Sequence, residues 1–114
     1  MNKPAPVAVF VYNRPDHARK TIDALGRNQL ASETELFVFS DGPKNLTAET
    51  KVAEVRQMLR GLQTPFKGLK IVEAEQNRGL ADSIINGVTH VMGLAGRRQR
   101  KYMSVLTYVM RDIG

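Results

Sequence analysis

Two apolar segments that each end in a polar turn place the strongest constraint on the fold. Residues 6–12 are apolar and rich in β-branched side chains, and the chain becomes polar at Asn13. Residues 35–40 form a second, mainly apolar segment, which ends at the polar Asp41-Gly42-Pro43 turn. Strands buried in a parallel sheet have near-continuous apolar sequences, and open α/β sheets bind ligands at the carboxyl ends of their strands. The two segments therefore predict neighbouring strands that share one pocket.

The rest of the chain alternates helical and strand patterns. Apolar residues recur at helical spacing over 15–28, 47–61 and 80–93, and alternation predicts a third strand over 69–74. Thr47 is the predicted N-cap of the second helix, and Gly93 is the predicted end of the third. This β-α-β-α-β-α order suits right-handed crossovers. The sequence predicts an α/β domain of three layers, with a Rossmann-like, mostly parallel sheet and helices on both faces.

The positive charge is concentrated at the end of the chain. Residues 1–93 contain 12 Lys and Arg against 10 Asp and Glu, whereas residues 94–114 contain 5 against 1. We predict a basic loop over 94–101, followed by an apolar segment over 102–110 that suits a fourth strand or a short amphipathic helix. Because the charge belongs to a short tail, a broad basic face for specific nucleic-acid binding is not expected.

Composition also bears on the compartment. The 114 residues include no cysteine, so neither disulfides nor thiolate metal sites are expected. No apolar run approaches the roughly 20 residues of a transmembrane segment, and residues 1–6 lack the apolar core of a signal peptide. We expect a cytoplasmic protein.

Three motifs carry a resemblance to a known family. They are the strand and turn at 7–15, the strand and turn at 37–43, and the Asn-Arg-Gly-Leu-Ala segment at 77–81. In this order, over about residues 5–92, the chain resembles the N-terminal, nucleotide-binding half of family 2 glycosyltransferases with the GT-A fold. The resemblance implies that residues 1–93 bind a nucleotide diphosphate-sugar, with a UDP-sugar favoured, for transfer to an unknown acceptor.

The resemblance also implies which residues bind the nucleotide, namely those of the turns after the three strands: Tyr12, Asn13, Arg14, Asp41, Asn77, Arg78 and Gly79. A carboxylate at Asp41 suits the N–H of a uracil ring, since charge-assisted hydrogen bonds are the stronger class. Guanidinium groups at Arg14 and Arg78 suit a diphosphate.

Structural roles compete with these assignments. Asp41 fits its own Asp-Gly-Pro turn, and Asn13 is a candidate cap for the first helix. Tyr12 fits a half-buried aromatic residue at a strand end, and Arg14 fits a solvated loop arginine. These alternatives remain open at the level of sequence.

Other polar residues predict no catalytic site. Asp82 suits the dipole of the third helix better than a catalytic role. His17 and His90 have no Cys, His or paired acid near them in the sequence, and the chain has neither a phosphate loop nor a G-x-G-x-x-G motif.

Parts of the family's chemistry have no counterpart here. Intact members hold Mn²⁺ or Mg²⁺ with a pair of carboxylates, but the matching segment, 107–112, offers only Asp112, beside Arg111. No candidate general base follows. We therefore predict no catalytic residues and only a weak metal candidate at Asp112. We also predict that the tail is truncated or altered, so that this chain by itself is inactive and binds no cation.

Two further expectations concern partners. A sheet without its later strands has an open edge beside the first strand. Residues 102–110 are one candidate to fill this edge and a second copy of the chain is the other, and we predict a homo-oligomer. The alternative function is a non-catalytic α/β interaction module with a basic tail. Nucleic-acid attachment through four basic residues would be weak and unspecific; these are Arg97, Arg98, Arg100 and Lys101.

Overall fold

A computed structural model describes residues 6–100 and 106–109 of the chain. The strands and helices alternate in the following order: β1 (Val7–Val11), α1 (Pro15–Gly26), β2 (Glu35–Ser40), α2 (Leu46–Arg60), β3 (Gly68–Glu73), α3 (Leu80–Arg100) and β4 (Leu106–Val109). All strand pairs are parallel, and the order across the sheet is β3-β2-β1-β4. The predicted α/β class with a parallel sheet is thus confirmed.

Both faces of the central strands are covered. On one face, Val9 and Val38 pack in a buried cluster with Ile22 of α1 and with α2 residues such as Leu59. On the other face, a second cluster contains Phe10, Phe39 and Val91 of α3. Successive side chains of a strand point to opposite faces, which explains why β1 and β2 are apolar throughout.

A glycine lets α3 approach the sheet closely. Phe10 and Phe39 stack with their ring centroids 5.2 Å apart. A Cβ atom on Gly87 would lie only 2.6 Å from Cε1 of Phe10 and 3.2 Å from Cδ2 of Phe39. The edge of the His90 ring also faces Phe39, at a centroid distance of 6.1 Å. The first half of α3 is therefore held against β1 and β2.

Two predicted helix ends are wrong. The N-cap of α2 is Asn45 rather than Thr47, because its Oδ1 accepts a hydrogen bond of 3.0 Å from the N–H of Ala48. The third helix does not end at Gly93 but continues to Arg100, so the basic loop predicted over 94–101 is helical up to that residue. Gly93 has no positive φ, and a glycine with helical φ is compatible with a helix interior at a cost of about 1 kcal/mol.

Of the two alternatives for 102–110, the strand is confirmed over Leu106–Val109, where β4 pairs with β1. This pairing fills the edge beside β1 with part of the segment 102–110, one of the two candidates for it, and leaves β3 and β4 as the edge strands. The weak metal candidate Asp112 lies outside the described residues. Within the described part of the chain, no helix is long and apolar enough to cross a membrane.

Candidate functional site

The carboxylate of Asp41 connects the end of β2 to the turn that follows β3. Its Oδ1 accepts hydrogen bonds of 2.8 Å from the backbone N–H groups of Gly42 and Arg78. Its Oδ2 accepts from the N–H of Gly79 at 3.0 Å and from Nδ2 of Asn77 at 3.2 Å. We call these five residues the Asp41 clasp. A carboxylate has about four lone-pair sites, so the protein itself supplies a donor for each of them.

Two glycines make the clasp possible. A Cβ atom on Gly42 would lie 2.6 Å from the carbonyl carbon of Gln76 and 2.8 Å from its oxygen, so only glycine allows the two turns to approach this closely. Gly79 has a φ of 80°, in the left-handed region that glycine adopts without strain. The β2 and β3 strands end in register at Ser40 and Glu73, which brings the turns to the same edge.

The turn after β1 reaches the same edge. The hydroxyl of Tyr12 accepts a hydrogen bond of 2.9 Å from the N–H of Lys44, in the loop after β2. The N–H of Asp41 in turn donates to the carbonyl of Val11 at 3.2 Å. The structure therefore brings Tyr12, Asp41 and Asn77 to one edge of the sheet, where the sequence predicted them.

The other residues of the first turn have different positions. Arg14, not Asn13, occupies the N-cap of α1, and this position has no side-chain capping bond. Asn13 is half-buried and Arg14 is exposed. The alternative role of Asn13 as the helix cap is thus wrong.

Arg56 of α2 is a residue of this edge that the sequence did not reveal. Its Nη2 donates to the carbonyls of Ala74 at 2.7 Å, Ser40 at 3.1 Å and Asp41 at 3.2 Å, and its Nε donates to Oγ of Ser40 at 3.0 Å. Two features of the sequence could have indicated this contact. Ser40 stands at the end of an apolar strand and is only 1% exposed in the structure, and the arginine directly follows Val55, beside the apolar stripe of α2. The side chain of Arg56 therefore links the ends of β2 and β3.

An open cleft of about 770 Å³ lies beside the clasp, between β3 and the start of α3. Phe39 and Val72 contribute apolar surface to it, and α3 contributes polar side chains. Three of the predicted nucleotide-binding residues line this cleft, namely Asp41, Asn77 and Arg78, whereas the remaining four are not part of its lining: Tyr12, Asn13, Arg14 and Gly79.

Acidic side chains outnumber basic ones in this cleft. Its lining includes four carboxylates, Asp41, Glu73, Glu75 and Asp82, against the single guanidinium of Arg78. Glu73 forms a two-point ion pair with Arg60 of α2, with N–O distances of 2.6 and 2.9 Å. Its pKa is lowered chiefly by the hydrogen bond from Arg60; partial burial opposes this, and the charges of Arg60 and Arg56 reinforce it.

The lowered pKa of Glu73 predicts a pH-dependent contribution to stability. A carboxylate whose pKa is lower in the folded than in the unfolded state stabilises the protein at neutral pH, and this contribution decreases as the pH falls from the unfolded to the folded value. Glu73→Gln should therefore flatten the acid limb of a curve of melting temperature against pH, with a small effect because Arg60 is exposed. Glu49→Gln, in the first turn of α2, is the control; equal curves for the two variants would contradict the expectation.

Clusters of metal-ligating side chains bear on the Mn²⁺ or Mg²⁺ that the family resemblance implies. No group of three or more His, Cys, Asp or Glu side chains within 6–100 is arranged to hold a metal ion. His17 is exposed, and His90 lines the cleft with its ring against Phe39.

Comparison with known proteins gives no relatives: no family model, no curated protein and no solved structure matches the chain. Its function therefore has to be inferred from its own residues.

Proposed function

We propose that the chain is the nucleotide-binding half of a three-layer, GT-A-type glycosyltransferase domain similar to family 2, and that it binds a nucleotide diphosphate-sugar, with a UDP-sugar as the favoured donor. The observation that supports this most is the convergence of Tyr12, Asp41 and Asn77 at one carboxyl edge, beside a cleft. Open α/β sheets bind their ligands at this edge, and the residues that converge are those of the three family-like motifs.

Base recognition by Asp41 requires an exchange of hydrogen bonds, because its acceptor sites already have protein donors. The longest of its contacts is the 3.2 Å bond from Nδ2 of Asn77. The same amide nitrogen donates to the carbonyl of Gly42 at 2.9 Å, so it keeps a partner if it releases Asp41. We propose that the N3–H of a uracil ring takes this place at Oδ2, and that the Tyr12 ring supports the base by stacking.

Arg78 is the proposed partner of the diphosphate. Its backbone N–H belongs to the clasp, but its side chain is on the exposed surface. A guanidinium binds phosphate oxygens through a planar pair of N–H groups. Removal of the side chain therefore tests phosphate binding while the backbone bond to Asp41 remains.

We expect UDP to bind the wild-type chain and to raise its melting temperature. Arg78→Ala should weaken UDP binding about 10-fold or more, as expected for a lost charge-assisted hydrogen bond, and should leave uridine binding unchanged. Isothermal titration calorimetry measures both affinities. Arg27→Ala, an exposed arginine at the end of α1, is the control. No binding of UDP at millimolar concentration would refute the proposed function, and equal losses in the two variants would refute the role of Arg78.

Sugar transfer itself is not assigned to these residues. It needs a divalent cation beside the diphosphate and a general base for the acceptor hydroxyl, and we propose that this chain alone is inactive. UDP binding should accordingly be the same with and without Mn²⁺. Self-association through the edge strands β3 and β4 also remains a proposal.

One observation favours a second candidate function. All four acceptor sites of Asp41 already accept hydrogen bonds from donors of the protein itself, as expected if this residue only stabilises the turns. The chain would then be a non-catalytic α/β interaction module. A folded protein that binds neither uridine nor UDP would support this alternative.

A further inference from the structure

The outer edge of β3 is the longer of the two strand edges that the described sheet leaves open. β3 is six residues long, whereas β4, on the other side of the sheet, has four. The N–H of Ala74 donates to the carbonyl of Ser40 at 2.9 Å, and the hydrogen-bonding groups of successive residues alternate between the two sides of a strand. The N–H and C=O groups of Leu69, Ile71 and Glu73 therefore point away from β2.

These outward-pointing groups form no hydrogen bond with the described part of the chain. The ladder of β3 runs to β2, and the other backbone bonds between described residues do not involve Leu69, Ile71 or Glu73. An edge with a row of unpaired N–H and C=O groups is a template for pairing with another strand. The length and side chains of β3 then decide which strand fits.

A second copy of the chain fits this edge in one antiparallel register. A two-fold axis between two identical strands matches each residue with one residue of the partner. With the axis at Ile71, Ile71 pairs with the partner's Ile71 and Leu69 with the partner's Glu73, so every outward N–H and C=O group of both strands is paired. An axis at Lys70 would place two like charges opposite each other, which is unfavourable. An axis at Val72 would leave Leu69 beyond the end of the partner strand.

The same register brings the side chain of Lys70 to the cleft of the partner. Lys70 and Val72 lie on the same face of the sheet, and Val72 lines the cleft beside the clasp. Lys70 is exposed and forms no ion pair with a described residue, and it would lie opposite the partner's Val72. Its diagonal neighbour would be the partner's Ala74, directly before Glu75, and long side chains reach such a neighbour at about 7–8 Å.

The negative charge of the cleft complements this lysine. The carboxylates of Asp41 and Glu73 have donors within the protein, as described above. Glu75 and Asp82 also line the cleft, and both are exposed and form no ion pair with a residue in the described ranges. Complementary charges across an interface favour one partner and one register over others. A second copy supplies both the matching strand and the missing positive charge.

We propose that the chain forms a two-fold dimer by antiparallel pairing of β3 with β3 of a second copy, centred on Ile71, in which Lys70 of each copy borders the cleft of the other. The two four-stranded sheets then form one continuous sheet of eight strands, and an axis perpendicular to this sheet keeps both clefts on one face. Lysine on an edge strand often prevents pairing, but here it lies opposite a valine and beside carboxylates. The dimer does not depend on nucleotide binding.

Charge reversal tests the contact between Lys70 and the cleft. Sedimentation equilibrium should show a wild-type dimer. Lys70→Glu and Glu75→Lys should each weaken dimerisation about 10-fold, because the axis repeats a modest, exposed ion pair, and combining them should restore the wild-type dissociation constant. Lys20→Glu on α1, also exposed, changes the net charge equally and is the control. A wild type that is monomeric at hundreds of micromolar, or a Lys70→Glu variant that dimerises like the control, would overturn the proposal.

A single cysteine locates the two-fold axis. The chain has no cysteine, so one introduced thiol can form a disulfide only between two copies. Hydrogen-bonded antiparallel residues have Cα atoms about 5.5 Å apart, within the roughly 4.4–6.8 Å that a disulfide spans, so Ile71→Cys should crosslink on mild oxidation. Leu69→Cys is the matched control, because its two copies would be more than about 13 Å apart along the strands. Equal crosslinking of the two variants would contradict the register.

A proline distinguishes β3 from β4 as the interface. Because the N–H of Ile71 points away from β2, Ile71→Pro removes hydrogen bonds across the dimer but none within the sheet. We expect a monomer with the circular dichroism spectrum of the wild type, and a folded variant that still dimerises would overturn the proposal. The charge-reversal and cysteine variants decide the question if this variant does not fold. UDP binding by a chain that stays monomeric would refute the dimer and leave the proposed function standing.

Discussion

Replacing Asp41 with alanine should lower the free energy of unfolding by about 1.5–3 kcal/mol, the range for hydrogen bonds to a charged group. The substitution leaves the N–H groups of Gly42, Arg78 and Gly79 without the acceptor that joins the two turns. For a domain of this size, the melting temperature should fall by roughly 10 °C. Thermal unfolding followed by circular dichroism measures the change.

Two further variants separate the clasp from a general charge effect. Asp41→Asn should be nearly as destabilising as alanine, because an amide has one acceptor oxygen and places N–H donors opposite the N–H groups of the turn. Asp23→Ala removes an exposed carboxylate from α1 and should change stability little. If Asp41→Ala melts at the same temperature as Asp23→Ala, the clasp does not stabilise the fold.

Gly42→Ala should destabilise the same clasp by a steric clash. Its Cβ would lie 2.6 and 2.8 Å from backbone atoms of Gln76, which cannot rotate away as a side chain can. Overpacking of this kind costs about 1–3 kcal/mol, and the turns must separate to relieve it. Chemical denaturation gives the change in stability, and faster hydrogen exchange at the amides of Arg78 and Gly79 would show where the structure opens.

Gly68→Ala is the matched control for this substitution. A Cβ on Gly68 would meet no atom within 4 Å, and its φ is not positive. Its replacement should be neutral or stabilising by about 0.4–1 kcal/mol, since alanine restricts the unfolded chain. Equal stabilities of the Gly42 and Gly68 variants would contradict the steric account of the clasp.

The sequence predicted the strands better than the helix ends. The apolar run of β2 is bounded by Glu35 and by Asp41, so its limits could be inferred directly. The end of α3 could not, because Gly93 is compatible with both a helix end and a helix interior, and only backbone conformation distinguishes them. Local sequence therefore determines strand limits here more sharply than helix limits.

The candidate site was predictable in position but not in its bonding. A parallel sheet alone brings the turns after β1, β2 and β3 to one edge, which is why Tyr12, Asp41 and Asn77 could be grouped. The donors to Asp41 include backbone groups 37 and 38 residues away, which no local pattern reveals. Arg56 was missed for the same reason: three of its four hydrogen bonds go to carbonyl groups, which every residue possesses.

The position of Arg56 has an electrostatic consequence for the whole edge. Main-chain carbonyls at the ends of β2 and β3 contribute partial negative charge there, and three of them accept hydrogen bonds from the guanidinium of Arg56. The positive charge of the guanidinium offsets those dipoles, so the local potential is less negative than the backbone alone would make it. The attraction of this edge for an anion should thus decrease as the ionic strength rises.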